Sequence, residues 1–153
     1  MDKKQLKSLE KKLNYTFNDK QLLLNAITHK TYAFEAKKPL DYNERLEFLG
    51  DSILNFIISE KLYNINKYYS EGDLTRHRAI YVNNVFLADI AKKLGIGKFL
   101  LLGKGEKLQK GNLNPTNLAN SLESIIGAIY LDSNIDNVRN IILNNILDNK
   151  IIF

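Results

Sequence analysis

The chain has 153 residues, 44% hydrophobic and 25% charged, which suits one domain around one core and excludes a multidomain machine or a dinucleotide-binding domain with a separate substrate domain. The absence of Cys excludes a disulfide scaffold and thiolate metal or nucleophile chemistry. With His29 and His77 as the only histidines, a metal is expected on oxygen ligands, which selects a hard ion such as Mg²⁺ or Mn²⁺. Twenty-two Lys and Arg against 17 Asp and Glu leave a net charge of +5, which favours a polyanionic partner or serves solubility alone. Asn, Ile, Lys and Tyr are all frequent, as A/T-rich codon usage dictates, so a single Asn carries little functional information.

Helical periodicity runs through nearly the whole chain. Leu6, Leu9 and Leu13 mark a first short helix. Asn18 and Asp19 cap a second, which carries Leu22, Leu23, Leu24, Ala26 and Ile27. Residues 33–42, with Pro39, read as a loop. A long helix follows from about residue 43 to 61 or beyond. The next is expected over 73–94, with Asp73 as N-cap and Gly95 as its stop. A glycine-rich loop spans 95–115. Helices over about 116–131 and 135–147 complete the chain, the last with Val138, Ile142 and Ile146 on one face. No strand, repeat or linker is apparent, so the expectation is a single all-α domain. The first residues lack the apolar core of a signal peptide, and no run has the length of a membrane span, which predicts a soluble cytoplasmic protein.

The helix over 43–58 carries the chemistry. At about 100° per residue, Glu44, Glu47, Asp51 and Asn55 fall in a stripe less than a quarter-turn wide. Leu46, Leu49, Ile53, Leu54, Phe56 and Ile57 fill most of the remaining circumference, which predicts a buried helix. Acids on such a helix need compensation. Either Arg45 or a cation from another helix pairs with them, or they hold a divalent ion. Gly50 weakens a helix interior by about 1 kcal/mol relative to Ala, and its return is close approach of another backbone. The helix over 116–131 offers Asn120 and Glu123 at i and i+3. Crossing the two helices gathers Glu47, Asp51, Asn120 and Glu123 around one point.

Asn43-Glu44-Arg45-Leu46-Glu47-Phe48-Leu49-Gly50-Asp51-Ser52-Ile53-Leu54 closely resembles the signature of the ribonuclease III family. Residues 13–17, 27–32, 71–76, 103–106 and 118–132 resemble that family's other segments, in the same order. The resemblance implies an all-helical endonuclease domain over 1–153. Such a domain acts as a homodimer on double-stranded RNA, without a membrane or small-molecule cofactor. It leaves 5′-phosphate and 3′-hydroxyl ends with short 3′ overhangs, in rRNA and mRNA precursor processing. Carried over by position, Glu47, Asp51, Asn120 and Glu123 hold Mg²⁺ or Mn²⁺, while Glu44 and Glu71 line the catalytic valley. Phe48 matches an aromatic inserted into the partner subunit; ordinary core packing is the competing reading. Arg76, His77 and Arg78 beside the acidic turn, and Lys98, Lys104, Lys107 and Lys110 in the glycine-rich stretch, are candidate RNA contacts. Two departures stand out. Asn120 occupies a position where the family usually has Asp, which removes one charge from the site and keeps open a silent RNA-binding or ribosome-associated role. A metal-free interaction module is a third reading. The family's usual double-stranded-RNA-binding domain is also not expected within these 153 residues.

Overall fold

A computed structural model describes residues 3–147. It is all-α: among the described residues the only β-type pairing is an isolated parallel bridge between Thr28 and Leu101. Among the described residues, nine α-helices follow one another. The first, α1 (Lys3–Leu13), buries Leu9 and Leu13 and turns its lysines outward. The second, α2 (Lys20–Ala26), starts where Asp19 accepts a hydrogen bond from Gln21 N at 2.8 Å. The third, α3 (Lys30–Glu35), is capped by the His29 side chain and enters the stretch expected to be loop. Pro39 lies beyond it, in residues 36–43, which carry no helix.

The 22-residue α4 (Glu44–Ile65) is the long helix expected from about residue 43 to 61 or beyond. The single helix expected over 73–94 is two, α5 (Glu71–Val82) and α6 (Asn84–Leu94). Asn83, with extended backbone, makes the break: its Nδ2 donates to Ala79 O and Ile80 O while its Oδ1 accepts from Phe86 N. One side chain thus satisfies the end of one helix and the start of the next. The N-cap of α5 is Ser70 rather than Asp73; Asp73 closes the reciprocal capping box from the third helical position.

The glycine-rich stretch is more ordered than a loop. It holds a 3₁₀ turn (Ile96–Lys98), α7 (Lys104–Leu108) and a second 3₁₀ turn (Gly111–Leu113). Glu35 closes the start of α7 by accepting from Lys104 N at 2.9 Å. The eighth helix, α8 (Pro115–Asp132), begins with Pro at its first position behind an Asn114 cap. Instead of one helix over 135–147, α9 (Ile135–Asn140) is followed by a π-wound segment, Ile141–Ile146. Among the described residues, no helix is long and apolar enough to cross a membrane.

At the centre lies α8, packed against α4, α6 and α2. Leu118, Ala119, Leu122, Ile125, Ile126 and Ile129 are all buried, apolar nearly all round, as a central helix requires. Each such large side chain contributes about 1.5–3 kcal/mol. The far end of α8 is pinned by Asp132, which accepts from the Tyr15 hydroxyl and from the backbone of Asn18 and Asp19 at 2.7–2.8 Å.

The crossing of α4 on α8 is set by two glycines. A Cβ at Gly50 would lie 1.8 Å from Glu123 O, and one at Gly127 2.4 Å from Leu46 O. Each glycine admits the other helix's backbone, as expected for Gly50.

Candidate active site

This backbone contact brings the acids together. From α4 come Glu44, Glu47, Asp51 and Asn55; from α8 come Asn120 and Glu123. The α4 stripe is not buried as expected: Glu44 and Asp51 are exposed, and Glu47 and Asn55 are half-buried. Glu123 is the buried acid, 7% exposed. The helix is one-sided because Leu46, Ile53, Leu54 and Ile57 are buried, whereas Phe56, expected among them, is 52% exposed.

Electrostatics show which groups share the site. Burial, and then the charges of Asp51 and Glu47, push the Glu123 carboxyl up to about 7. Burial also raises Glu47, with Glu44 and Asp51 adding repulsion, while a hydrogen bond from Asn120 and the charge of Lys30 pull it back. Asn55 donates to Asp51 Oδ1 at 2.8 Å, which fixes that carboxylate along the helix. The Ser124 hydroxyl faces Asn120 O at 2.7 Å and Asn43 O at 3.1 Å, fastening the turn that bears Asn120 and Glu123 to the start of α4.

The compensating cation sought on the sequence is Lys30, whose Nζ lies 2.9 Å from Glu44 Oε1. Arg45 forms no ion pair among the described residues. Nothing in the sequence singles Lys30 out from the other cations, because the pair joins separate helices. Among the described residues, no ion pair reaches Glu47, Asp51 or Glu123. The donor set of three carboxylates and one carboxamide, with a buried acid lacking a cation, fits a hard divalent ion. It is an open arrangement: no three His, Cys, Asp or Glu among the described residues form a ready-made metal cage.

Other expected site residues lie apart. Glu71 opens α5 and accepts from Thr75 Oγ1; it borders a cleft of about 390 Å³ with Phe56, Tyr63 and Arg78, beyond the acid cluster on α4. Arg76 pairs with Asp73 at 2.5 Å. Arg78 turns inward and donates to Ser59 Oγ at 3.1 Å, and His77 stacks on Tyr69. Lys98, Lys104, Lys107 and Lys110 are exposed. Phe48 is 79% exposed, which rules out core packing within the chain. It borders a groove of about 790 Å³ whose walls include Leu22, Tyr42, Leu49 and Leu131.

Known proteins share this arrangement of helices. A family model described as Ribonuclease-III-like matches residues 19–150. The chain is 47% identical to Ribonuclease 3 of Caldanaerobacter subterraneus over 135 residues, covering 88% of this chain and 59% of that protein. It is 45% identical to Ribonuclease 3 of Fusobacterium nucleatum over 144 residues, covering 94% and 62%. The chain therefore spans about three-fifths of the length of these curated relatives. The solved nuclease domain of ribonuclease III from Campylobacter jejuni superposes with a TM-score of 0.88 at 39% identity, covering 96% of this chain and 99% of that one; a region of that domain is involved in dimer formation. Dicer from Pichia stipitis gives a TM-score of 0.63 at 26% identity, covering 89% of this chain and 57% of that one. A family match over most of the chain, joined to the same helical fold around a crossed pair of acid-bearing helices, has one meaning: the chain belongs to the ribonuclease III family.

Proposed function

We propose that this chain is the catalytic portion of a divalent-metal-dependent endoribonuclease that hydrolyses double-stranded RNA. It acts in the cytoplasm as a homodimer on rRNA and mRNA precursors, and leaves 5′-phosphate and 3′-hydroxyl ends with short 3′ overhangs. The observation that carries this reading is the Gly50–Gly127 crossing, which sets Glu123 beside Asp51 and Glu47 with no ion pair to any of the three among the described residues. Glu47, Asp51, Glu123 and the carboxamide oxygen of Asn120 would hold the ion. When bound, Mg²⁺ or Mn²⁺ supplies water activation near neutral pH and charge stabilisation at the phosphate.

The chain's own residues do the rest. Burial pushes the Glu123 carboxyl up to about 7, so it is about half protonated at neutral pH and ion entry releases that part of a proton. Lys30 holds Glu44 at the rim, which limits repulsion along the stripe. The exposed Lys104 and Lys107, with Arg76, offer contacts to RNA phosphates, and A-form shape rather than sequence selects the substrate. The half-buried Arg78 is better placed to brace α5 on α4. Glu71 joins the valley only if a second subunit carries it there. Phe48 and its adjoining groove supply the dimer contact.

Asn120 favours one second reading, a catalytically silent RNA-binding member, because its carboxamide donates to Glu47 where an acid would repel it. Incubation of a 5′-labelled RNA duplex with the chain, in Mg²⁺, in Mn²⁺ and in chelator, separates the two. Metal-dependent cleavage of the duplex and not of either single strand is expected. Duplex binding without cleavage in either metal would establish the silent reading, and no duplex binding would leave an interaction module.

A further inference from the structure

Five of the chain's lysines, Lys3, Lys4, Lys7, Lys11 and Lys12, lie on the 11-residue α1 against Glu10 as its one acid, so this helix carries most of the net charge of +5. Glu10 does not offset them at the surface. It is buried, receives Phe17 N at 2.7 Å and is paired with Lys20 at 2.5 Å. Among the described residues no ion pair engages Lys7 or Lys11.

Lys7, Lys11 and Lys20, with Thr16 and the Glu10 carboxylate that pairs with Lys20, line a groove of about 460 Å³. A second groove, of about 570 Å³, adjoins it and is lined by Asn137, Asn140 and Asn144, which follow one another at i, i+3 and i+7. Asn14 and Tyr15 border both. Asn14 ends α1 with a left-handed φ of 52°, and Tyr15 N returns to Glu10 O; this reversal lays the ammonium groove against the carboxamide groove. Tyr15 is held there by Asp132, at the end of α8, nine residues beyond Glu123 and so about 13 Å along the helix from the catalytic acids.

The two halves offer different chemistry. Ammonium groups track phosphates without regard to sequence. Carboxamides present a donor and an acceptor together, the pattern that base edges complement. A duplex turns its Watson–Crick edges inward and buries its Hoogsteen edges in a deep, narrow groove, whereas an unpaired strand displays both to the amides. We propose that these adjoining grooves bind a single-stranded RNA segment, with phosphates on Lys7, Lys11 and Lys20 and base edges on Asn137, Asn140 and Asn144. This binding does not depend on the cleavage proposed above.

Fluorescence anisotropy of the chain in chelator, with a short labelled mixed-sequence single-stranded oligoribonucleotide, tests it. Lys7→Glu with Lys11→Glu should weaken binding about tenfold or more and lower the slope of log K against log salt by about 1.4. Asn137→Ala with Asn140→Ala should weaken binding about tenfold with the salt slope unchanged. Circular dichroism melts show whether each variant folds, and Lys7→Gln with Lys11→Gln gives a milder version of the charge test. Unchanged affinity in the lysine variants overturns the proposal. So does an inert asparagine pair, equally tight competition by tripolyphosphate, or binding to phosphatidylserine vesicles without binding to the oligonucleotide. A wild-type chain that binds the single strand but never cuts duplex removes the nuclease reading and leaves this one standing.

Discussion

Position 120 decides the charge of the site. Asn120 donates a hydrogen bond to Glu47, whereas Asp would add a fourth carboxylate one turn from Glu123. Asn120→Asp should therefore lower metal-free stability by about 1 kcal/mol and enlarge the stabilisation gained on adding Mg²⁺, with faster duplex cleavage at low Mg²⁺. Thermal melts across a Mg²⁺ titration read both effects; an unchanged metal response would show that position 120 is not a ligand. Glu123 makes the complementary case. Its folded carboxyl titrates at about 7, raised from an ordinary value of 4.5. The unfolded chain thus loses this proton first. The stability it contributes is complete below about pH 4.5 and is lost as pH rises through 7, by about 2–3 kcal/mol. Urea denaturation in chelator should show that fall between pH 5 and pH 8, and Glu123→Gln should flatten it and abolish the response to Mg²⁺. A variant that falls as steeply as the parent would place the titrating group elsewhere.

Among the elements, the α4–α8 crossing governs the site. Gly50→Ala gains about 1 kcal/mol in helix propensity. It also drives a methyl to within 1.8 Å of a backbone carbonyl that cannot swing aside. Overpacking of this kind costs about 3 kcal/mol or more, so a net loss is expected in a denaturation midpoint. Any folded fraction should also lose its response to Mg²⁺, because parting the helices moves Glu123 from Asp51. Retained stability together with retained metal response would mean that close approach does not build the site.

For the whole molecule, the exposed Phe48 beside its groove is the surface feature on which the dimer proposal rests. Its burial in a partner would contribute about 1.5–3 kcal/mol per subunit. Phe48→Asp should shift sedimentation from dimer to monomer at micromolar concentration. The melt of the isolated subunit should barely change, since Phe48 touches solvent there. A parent chain that sediments as a monomer would remove the dimer proposal.

The all-α class, the acid stripe on α4, the Asn120–Glu123 pair and the need for glycine at 50 were legible in the sequence by itself. All follow from local spacing, because helical geometry projects residues three and four apart onto one face whatever surrounds them. Tertiary structure alone decided which acids are buried and which cations meet them. Glu123 is desolvated and Asp51 is not, although both sit on helices rich in apolar residues. Lys30 answers Glu44 from another helix, and Asp132 collects donors from residues more than a hundred positions away. Phe48 and Phe56 face solvent because no element among the described residues packs over them. The break at Asn83 also escaped the periodicity, since apolar spacing continues across a joint that one side chain closes on both sides. Desolvation and pairing depend on what lies opposite a residue, and that is set by the path of the whole chain.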